Sequence, residues 1–224
     1  GIEILINSFK KKQIKKFFLI TKKKILKKYL KKNHIKIKIE KIINLANKKI
    51  YQSNTFYYYD IDARNNNENA YQAIKESYLV IKKNNLRGII NLPVNKNKIN
   101  KNVDSKFLGQ TEFYQKLDNK KTTNMIFIYK NINITILTTH IKIDDIIGNI
   151  SKKNFIYDKI ISLNKTLEEN FGLKSPKLLI SGINPHASDN GTIGKEEKII
   201  MNPTIKKLRG KKIIIEGPKS ADSI

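Results

Sequence analysis

The residues best suited to chemistry are two histidines, His140 and His186, each following an apolar run. His186 lies in Ser181-Gly-Ile-Asn-Pro-His-Ala-Ser-Asp-Asn-Gly-Thr-Ile-Gly-Lys-Glu-Glu197. Before it, Lys177-Leu-Leu-Ile180 reads as a buried strand. After it, Glu196 to Leu208 reads as helical, interrupted or restarted at Pro203. In α/β proteins ligands sit at the carboxyl ends of strands, so His186 suits a metal ligand or a general base. Gly182, Gly191 and Gly194 permit sharp turns, and Pro185 stiffens the approach. Glu196 and Glu197 suit the positive end of the helix that follows. The plainer alternative is a surface loop with an incidental histidine. His140 follows Thr138-Thr139 at the end of an expected strand. Two neutral imidazoles suit zinc or a similar divalent ion. Two ligands are too few for a closed site. A third would come from Asp222, from water, from a segment beyond residue 224 or from a partner subunit. His34, among lysines ahead of a strand, reads as a surface residue. Lys96 sits in a loop after Ile89-Ile90 and Pro93, where its ammonium could meet a phosphate or carboxylate; against this stands the abundance of lysine.

These residues need a scaffold, and the periodicity supplies an α/β one. A helix, a strand at Phe17–Ile20 and a helix over Lys22–Lys32 come first, then an alternating strand at Ile35–Ile39. Tyr57-Tyr58-Tyr59 reads as a strand with a buried face, although stacked tyrosines could also receive bases. Asn65-Asn66-Asn67 is loop-like, and Ala70–Lys83 is an amphipathic helix. Ile89 and Ile90 are expected in a strand that ends at Pro93. Met125–Tyr129 and Ile132–Leu137 form a hairpin, Asn154–Phe171 a helix, and Lys211–Ile215 a final strand.

Composition bounds the function. There is no cysteine, which removes disulfides, thiolate metal sites and cysteine nucleophiles. No run reaches membrane-span length and no secretory signal is visible, so the cytoplasm is the default expectation. The net charge of +26 raises a nucleic-acid partner as an alternative. Yet the cations are almost all lysine, with arginine only at 64, 87 and 209. Nucleic-acid readers favour arginine forks. Lysine rises together with asparagine and isoleucine, as an A/T-rich coding bias would produce, and an ordinary solvated lysine surface is the preferred reading. There is no Gly-x-Gly-x-x-Gly after a strand and no Walker loop, so a standard dinucleotide site is unsupported.

Five segments also carry a resemblance. They are Leu92-Pro-Val-Asn-Lys96, Gly109-Gln-Thr-Glu112, Thr138-Thr-His140, Asn184-Pro-His-Ala187 with Gly191, Gly194 and Glu196-Glu197, and Gly217-Pro-Lys-Ser-Ala-Asp222-Ser223. In this order they resemble the 4-hydroxythreonine-4-phosphate dehydrogenase family of vitamin B6 (pyridoxal 5′-phosphate) biosynthesis. Two departures stand out. Gln110 replaces the family's histidine, and Ser188-Asp189 stand where the family has Gly-Glu.

The resemblance implies an isocitrate/isopropylmalate-dehydrogenase-like α/β/α sandwich in two domains. Residues 1–105 would form an N-terminal α/β domain, and 106–224 a central α/β domain with the metal-ligand loops and dimer interface. It implies a homodimer that oxidises 4-phosphohydroxy-L-threonine with NAD or NADP and decarboxylates it to 3-amino-1-hydroxyacetone phosphate. His140 and His186 would be metal ligands, for zinc foremost, with magnesium or cobalt as alternatives. Gln110 and Thr111 would contact substrate, and Asp222 falls on a family aspartate with an expected catalytic role. Gly1-Ile2-Glu3 looks like the tail of the family's first turn, so its first strand is expected ahead of Gly1 and its third metal histidine beyond Ile224. No nucleic acid and no membrane are expected as partners. A degenerate, inactive relative is the other alternative, suggested by Gln110.

Overall fold

The computed structural model describes residues 1–14, 16–43, 45, 54–84, 86–130 and 132–224. The expectation that a hairpin turns near Asn131, and the part of the aromatic stretch before Asn54, lie outside them. The chain divides into two compact units, Gly1–Asn119 and Lys120–Ile224.

In the first unit, helix α1 (Ile2–Lys10), strand β1 (Leu19–Thr21), helix α2 (Lys23–Lys32), strand β2 (Lys38–Lys41) and strand β3 (Thr55–Asp60) build a small parallel sheet. Its order is β1-β3-β2, with Leu19 beside Tyr58 and Ile39 beside Phe56. The tyrosine run is therefore the central strand. Tyr57 and Tyr58 are 3% and 2% exposed, so neither can stack on a base, and the nucleic-acid alternative loses that support. Ile6, Leu26, Leu30 and Phe56 close the core on this sheet, and Phe9, Phe17 and Phe56 meet edge to face at 5.4–5.9 Å. Strand β3 also caps α2: Asp60 accepts from the Lys23 backbone N–H at 2.8 Å.

Helix α3 (Asn66–Lys83) starts earlier than the hydrophobic pattern suggests. Asn65 is its cap, accepting from the backbone N–H groups of Asn67 and Glu68 at 3.0 and 3.1 Å, so the Asn65–Asn67 run is a helix start rather than a loop. Helices α4 (Lys96–Asn102) and α5 (Gln110–Leu117) pack on it through Ile74, Ile99 and Phe107. The expected strand at Ile89-Ile90 does not form: residues 86–95 pair with no strand, and Ile90 is 83% exposed. Side-chain bonds from α5 hold this segment in place of a ladder.

The second unit begins with the hairpin of β4 (Ile126–Tyr129) and β5 (Ile132–Thr135). Helix α6 (Ile146–Ile150) and helix α7 (Phe155–Glu169) follow. Strand β6 (Lys177–Ser181) pairs in parallel with β7 (Ile214–Lys219), with helix α8 (Asn202–Arg209) between them. The core joins Ile156 and Ile160 of α7, Ile180 and Ile215 of the strands, and Met201, Ile205 and Leu208. Pro203 lies in the first turn of α8, a position where proline is tolerated. A π-helical turn, Glu197–Met201, precedes it. The architecture is α/β, as the pattern of alternating elements predicts. Among the described residues no helix is long and apolar enough to cross a membrane.

Candidate functional site

Two groups of candidate residues form, one in each unit. In the first, Gly109 precedes α5, and Gln110 and Thr111 open the helix. A Cβ on Gly109 would stand 2.6 Å from a Glu112 carboxylate oxygen and 3.3 Å from the Lys96 Nζ, so glycine is needed for both charged groups to come this close. Gln110 Nε2 donates to the Leu92 carbonyl at 3.2 Å. The Tyr114 hydroxyl, one turn along α5, donates to Asn91 at 2.9 Å and meets the Ser77 hydroxyl at 2.8 Å. Burial pushes the Tyr114 phenol above its ordinary pKa. Two side chains of one helix thus hold the Asn91-Leu92 segment ahead of Lys96.

The second group lies at the carboxyl ends of β6 and β7. Their parallel pairing brings the loop after β6, with His186, beside the turn after β7, with Asp222. His186 Nδ1 is 4.0 Å from the Asp222 carboxylate, and both side chains are about two-thirds exposed. The Ser220 hydroxyl donates to Asp222 and holds its carboxyl below the ordinary aspartate value, with help from its own backbone N–H and a smaller contribution from His186. His140 is exposed and, like His186, has a left-handed backbone, with φ of 57° and 51°. It does not join His186 and Asp222: among the described residues no three His, Cys, Asp or Glu side chains group as a metal site.

Beneath His186 lies a carboxylate whose role the sequence did not suggest. Glu197 is 2% exposed. Instead of serving the helix that follows, it reaches back. One oxygen accepts from the backbone N–H groups of Ile183 and Asn184, both at 2.7 Å. The other accepts from Asn184 Nδ2 at 2.9 Å and from the Ser188 hydroxyl. Burial acts to raise its pKa, but the donors, Asn184 foremost, outweigh burial and hold it below the ordinary glutamate value. Glu196 also reaches back, accepting from Asn184 Nδ2 at 2.8 Å. A legible sign did exist: Glu197 lies on the same stripe as Met201, Ile205 and Leu208, where a carboxylate needs a reason to be buried. Gly182 permits the packing, since a Cβ there would lie 2.8 Å from the Ala187 Cα and 3.2 Å from Glu197.

A family model described as pyridoxal phosphate biosynthetic protein PdxA matches residues 13–224. The chain belongs to the PdxA family. Among PdxA-like relatives, the 4-hydroxythreonine-4-phosphate dehydrogenase of Sulfurihydrogenibium sp. (strain YO3AOP1) is 37% identical over 137 residues, 60% of this chain and 41% of that protein. The protein of the same name from Colwellia psychrerythraea is 35% identical over 159 residues, 67% of this chain and 47% of its own length. The crystal structure of 4-hydroxythreonine-4-phosphate dehydrogenase from Klebsiella pneumoniae shares the fold, with a TM-score of 0.82 at 20% identity over 92% of this chain and 66% of that one. That from Burkholderia phymatum gives 0.78 at 26% identity, over 92% and 65%. The matches thus span under half the length of these two curated relatives.

Proposed function

We propose that this PdxA-family chain forms part of a 4-hydroxythreonine-4-phosphate dehydrogenase. In that reaction 4-phosphohydroxy-L-threonine loses a hydride from its carbinol carbon to NAD or NADP and a proton from its hydroxyl. The resulting β-keto acid releases carbon dioxide and leaves 3-amino-1-hydroxyacetone phosphate. The observation that carries this reading is the meeting of His186 and Asp222 at the ends of adjacent parallel strands, from two of the five motifs that run in family order.

An imidazole is a donor of the kind a divalent ion takes, and a carboxylate beside it can support the ring that binds the ion, so the pair fits such an ion as part of a site. We assign His186 and His140 as ligands in the assembled enzyme, with the remaining donors outside the group described above. Zinc is the first candidate, ahead of magnesium or cobalt. When bound, the ion lowers the pKa of a coordinated alcohol. Asp222, 4.0 Å from His186 Nδ1, would support that ring from behind and leave the other ring nitrogen for the ion. Thr111 and Gln110, at the start of α5, would receive polar groups of the substrate, with Lys96 close enough to Gly109 to meet an anion there. A homodimer is supported by the hairpin, where Phe127, Ile128, Tyr129, Ile132 and Ile134 are all more than half exposed.

One observation favours a degenerate, inactive relative. The Gln110 amide is already engaged by the Leu92 carbonyl and cannot titrate as histidine does. The deciding experiment is reduction of NAD or NADP by the whole protein with the phosphorylated hydroxythreonine and zinc, magnesium or cobalt. Metal-dependent reduction that is lost in His186→Ala supports the proposal. No reduction with any of the three metals, but activity on Gln110→His, identifies the degenerate relative. No reduction by either protein refutes the assignment.

A further inference from the structure

His186 opens a turn that L-amino acids resist. Residues His186, Ala187, Ser188, Asp189 and Asn190 have φ of 51°, 51°, 70°, 42° and 56°. In this left-handed region the Cβ of an L residue crowds the following carbonyl oxygen. Asn and Asp tolerate it best, but Ala187 and Ser188 have no such tolerance. Local preference therefore works against the turn, and tertiary contacts must hold it.

Glu197 is placed to do this. Its carboxylate binds the entry of the turn through the Ile183 and Asn184 N–H groups and its middle through the Ser188 hydroxyl. Ser188 is itself only 1% exposed. An apolar residue would suit the stripe shared with Met201, Ile205 and Leu208, and a buried carboxylate is costly unless its hydrogen bonds are met. We propose that Glu197 is a positioning residue: its buried carboxylate holds the left-handed turn and so sets His186 beside Asp222. The functional part of this proposal rests on the reading of His186 as a metal ligand.

The test uses the protein with zinc alone, and variants Glu197→Gln, Glu197→Asp and His186→Ala. Zinc affinity is measured by calorimetry well below the unfolding temperature. Amide hydrogen exchange of residues 183–191 is followed by mass spectrometry. Gln keeps the shape but replaces one acceptor oxygen by a donor, which then faces Asn184 Nδ2 and the Ser188 hydroxyl or, if flipped, the two backbone N–H groups. The expected result for Glu197→Gln is zinc binding weakened at least tenfold, as in His186→Ala, and local exchange at least tenfold faster with the rest of the chain unchanged. Glu197→Asp should recover part of both. Loss of thermal stability with parental zinc affinity would mark Glu197 as merely structural and overturn the proposal while leaving the His186 reading intact. Parental zinc affinity in His186→Ala would instead sink the His186 reading. The hold on the turn is then decided by exchange: faster exchange in Glu197→Gln supports it, and unchanged exchange overturns it. If Glu197→Gln does not fold, Ser188→Ala removes a single donor and should show about threefold effects in the same directions, with no effect overturning the proposal.

Discussion

Alanine at position 182 should be among the most damaging small substitutions in the second unit. The added methyl group would lie 2.8 and 2.9 Å from the Ala187 Cα and Cβ and 3.2 Å from a Glu197 oxygen. The first contact is backbone, so no rotamer change relieves it. Ala187 must move by several tenths of an ångström or more, and Ser188 moves with it, away from the carboxylate it donates to. Overpacking of this kind costs about 1–3 kcal/mol. A weakened hydrogen bond to a buried charged acceptor adds roughly 1.5–3 kcal/mol. The sum is about 2.5–6 kcal/mol. At roughly 2–4 °C per kcal/mol for a chain of this size, Gly182→Ala should lower the unfolding midpoint by about 5 °C at the least and by up to about 24 °C. Thermal unfolding followed by circular dichroism measures it. A drop below about 3 °C would mean that the turn yields freely and that the close approach is not needed.

Gly148→Ala is the matched control: in α6 an added Cβ meets nothing within 4 Å, so the midpoint should hold or rise by about 1–3 °C, and a fall would contradict the helical assignment. Tyr114→Phe removes the hydroxyl that joins Asn91 and Ser77 and should cost about 1–2 kcal/mol in urea unfolding, with faster exchange over residues 88–96; parental exchange there would show that the segment is held some other way. The Glu197 carboxyl is held below its ordinary pKa, so its stabilisation is full above about pH 4.5 and is lost as pH falls through the folded-state value. The acid limb of a pH–stability curve should be shallower in Glu197→Gln, and an identical limb would show that this group does not contribute. The lysine surface should bind duplex DNA only weakly, with affinity collapsing as salt rises to physiological strength; tight, sequence-selective binding there would refute this.

The elements that build the apolar cores are largely legible in the sequence. Strand β3 and the β6–α8–β7 succession follow from apolar runs and α7 from a 3.6-residue pattern, because burial leaves that trace. The hairpin is legible from its β-forming runs, although its apolar side chains stay mostly exposed. The Ile89-Ile90 run has the apolar composition of a strand, but a strand exists only with a neighbour to bond, and Gln110 and Tyr114 supply side-chain bonds in its place. His186 and Asp222 were legible as candidates from their loops, and their meeting follows from parallel pairing of the strands that precede them. The reach of Glu197 was not legible in position: a glutamate near a helix start ordinarily complements the dipole, whereas here it completes the loop behind it. Nothing in Ala187 or Ser188 announces a left-handed backbone, because that conformation is imposed by contacts distant in sequence.

The turn from His186 to Asn190 is, in effect, a short piece of helix seen in a mirror. Its hand sets a distinctive rule of substitution. Valine, isoleucine and threonine, harmless in most surface loops, should be rejected at 187 and 189, since branching at Cβ is worst on this side of the backbone map. Glycine, which ordinarily loosens a chain, should be accepted there. A D-alanine placed at 187 by chemical synthesis would find its own preferred backbone in a protein of L residues. The stretch that presents the imidazole is thus governed by chirality, and its tolerance should follow the sign of φ more closely than hydrophobicity or charge.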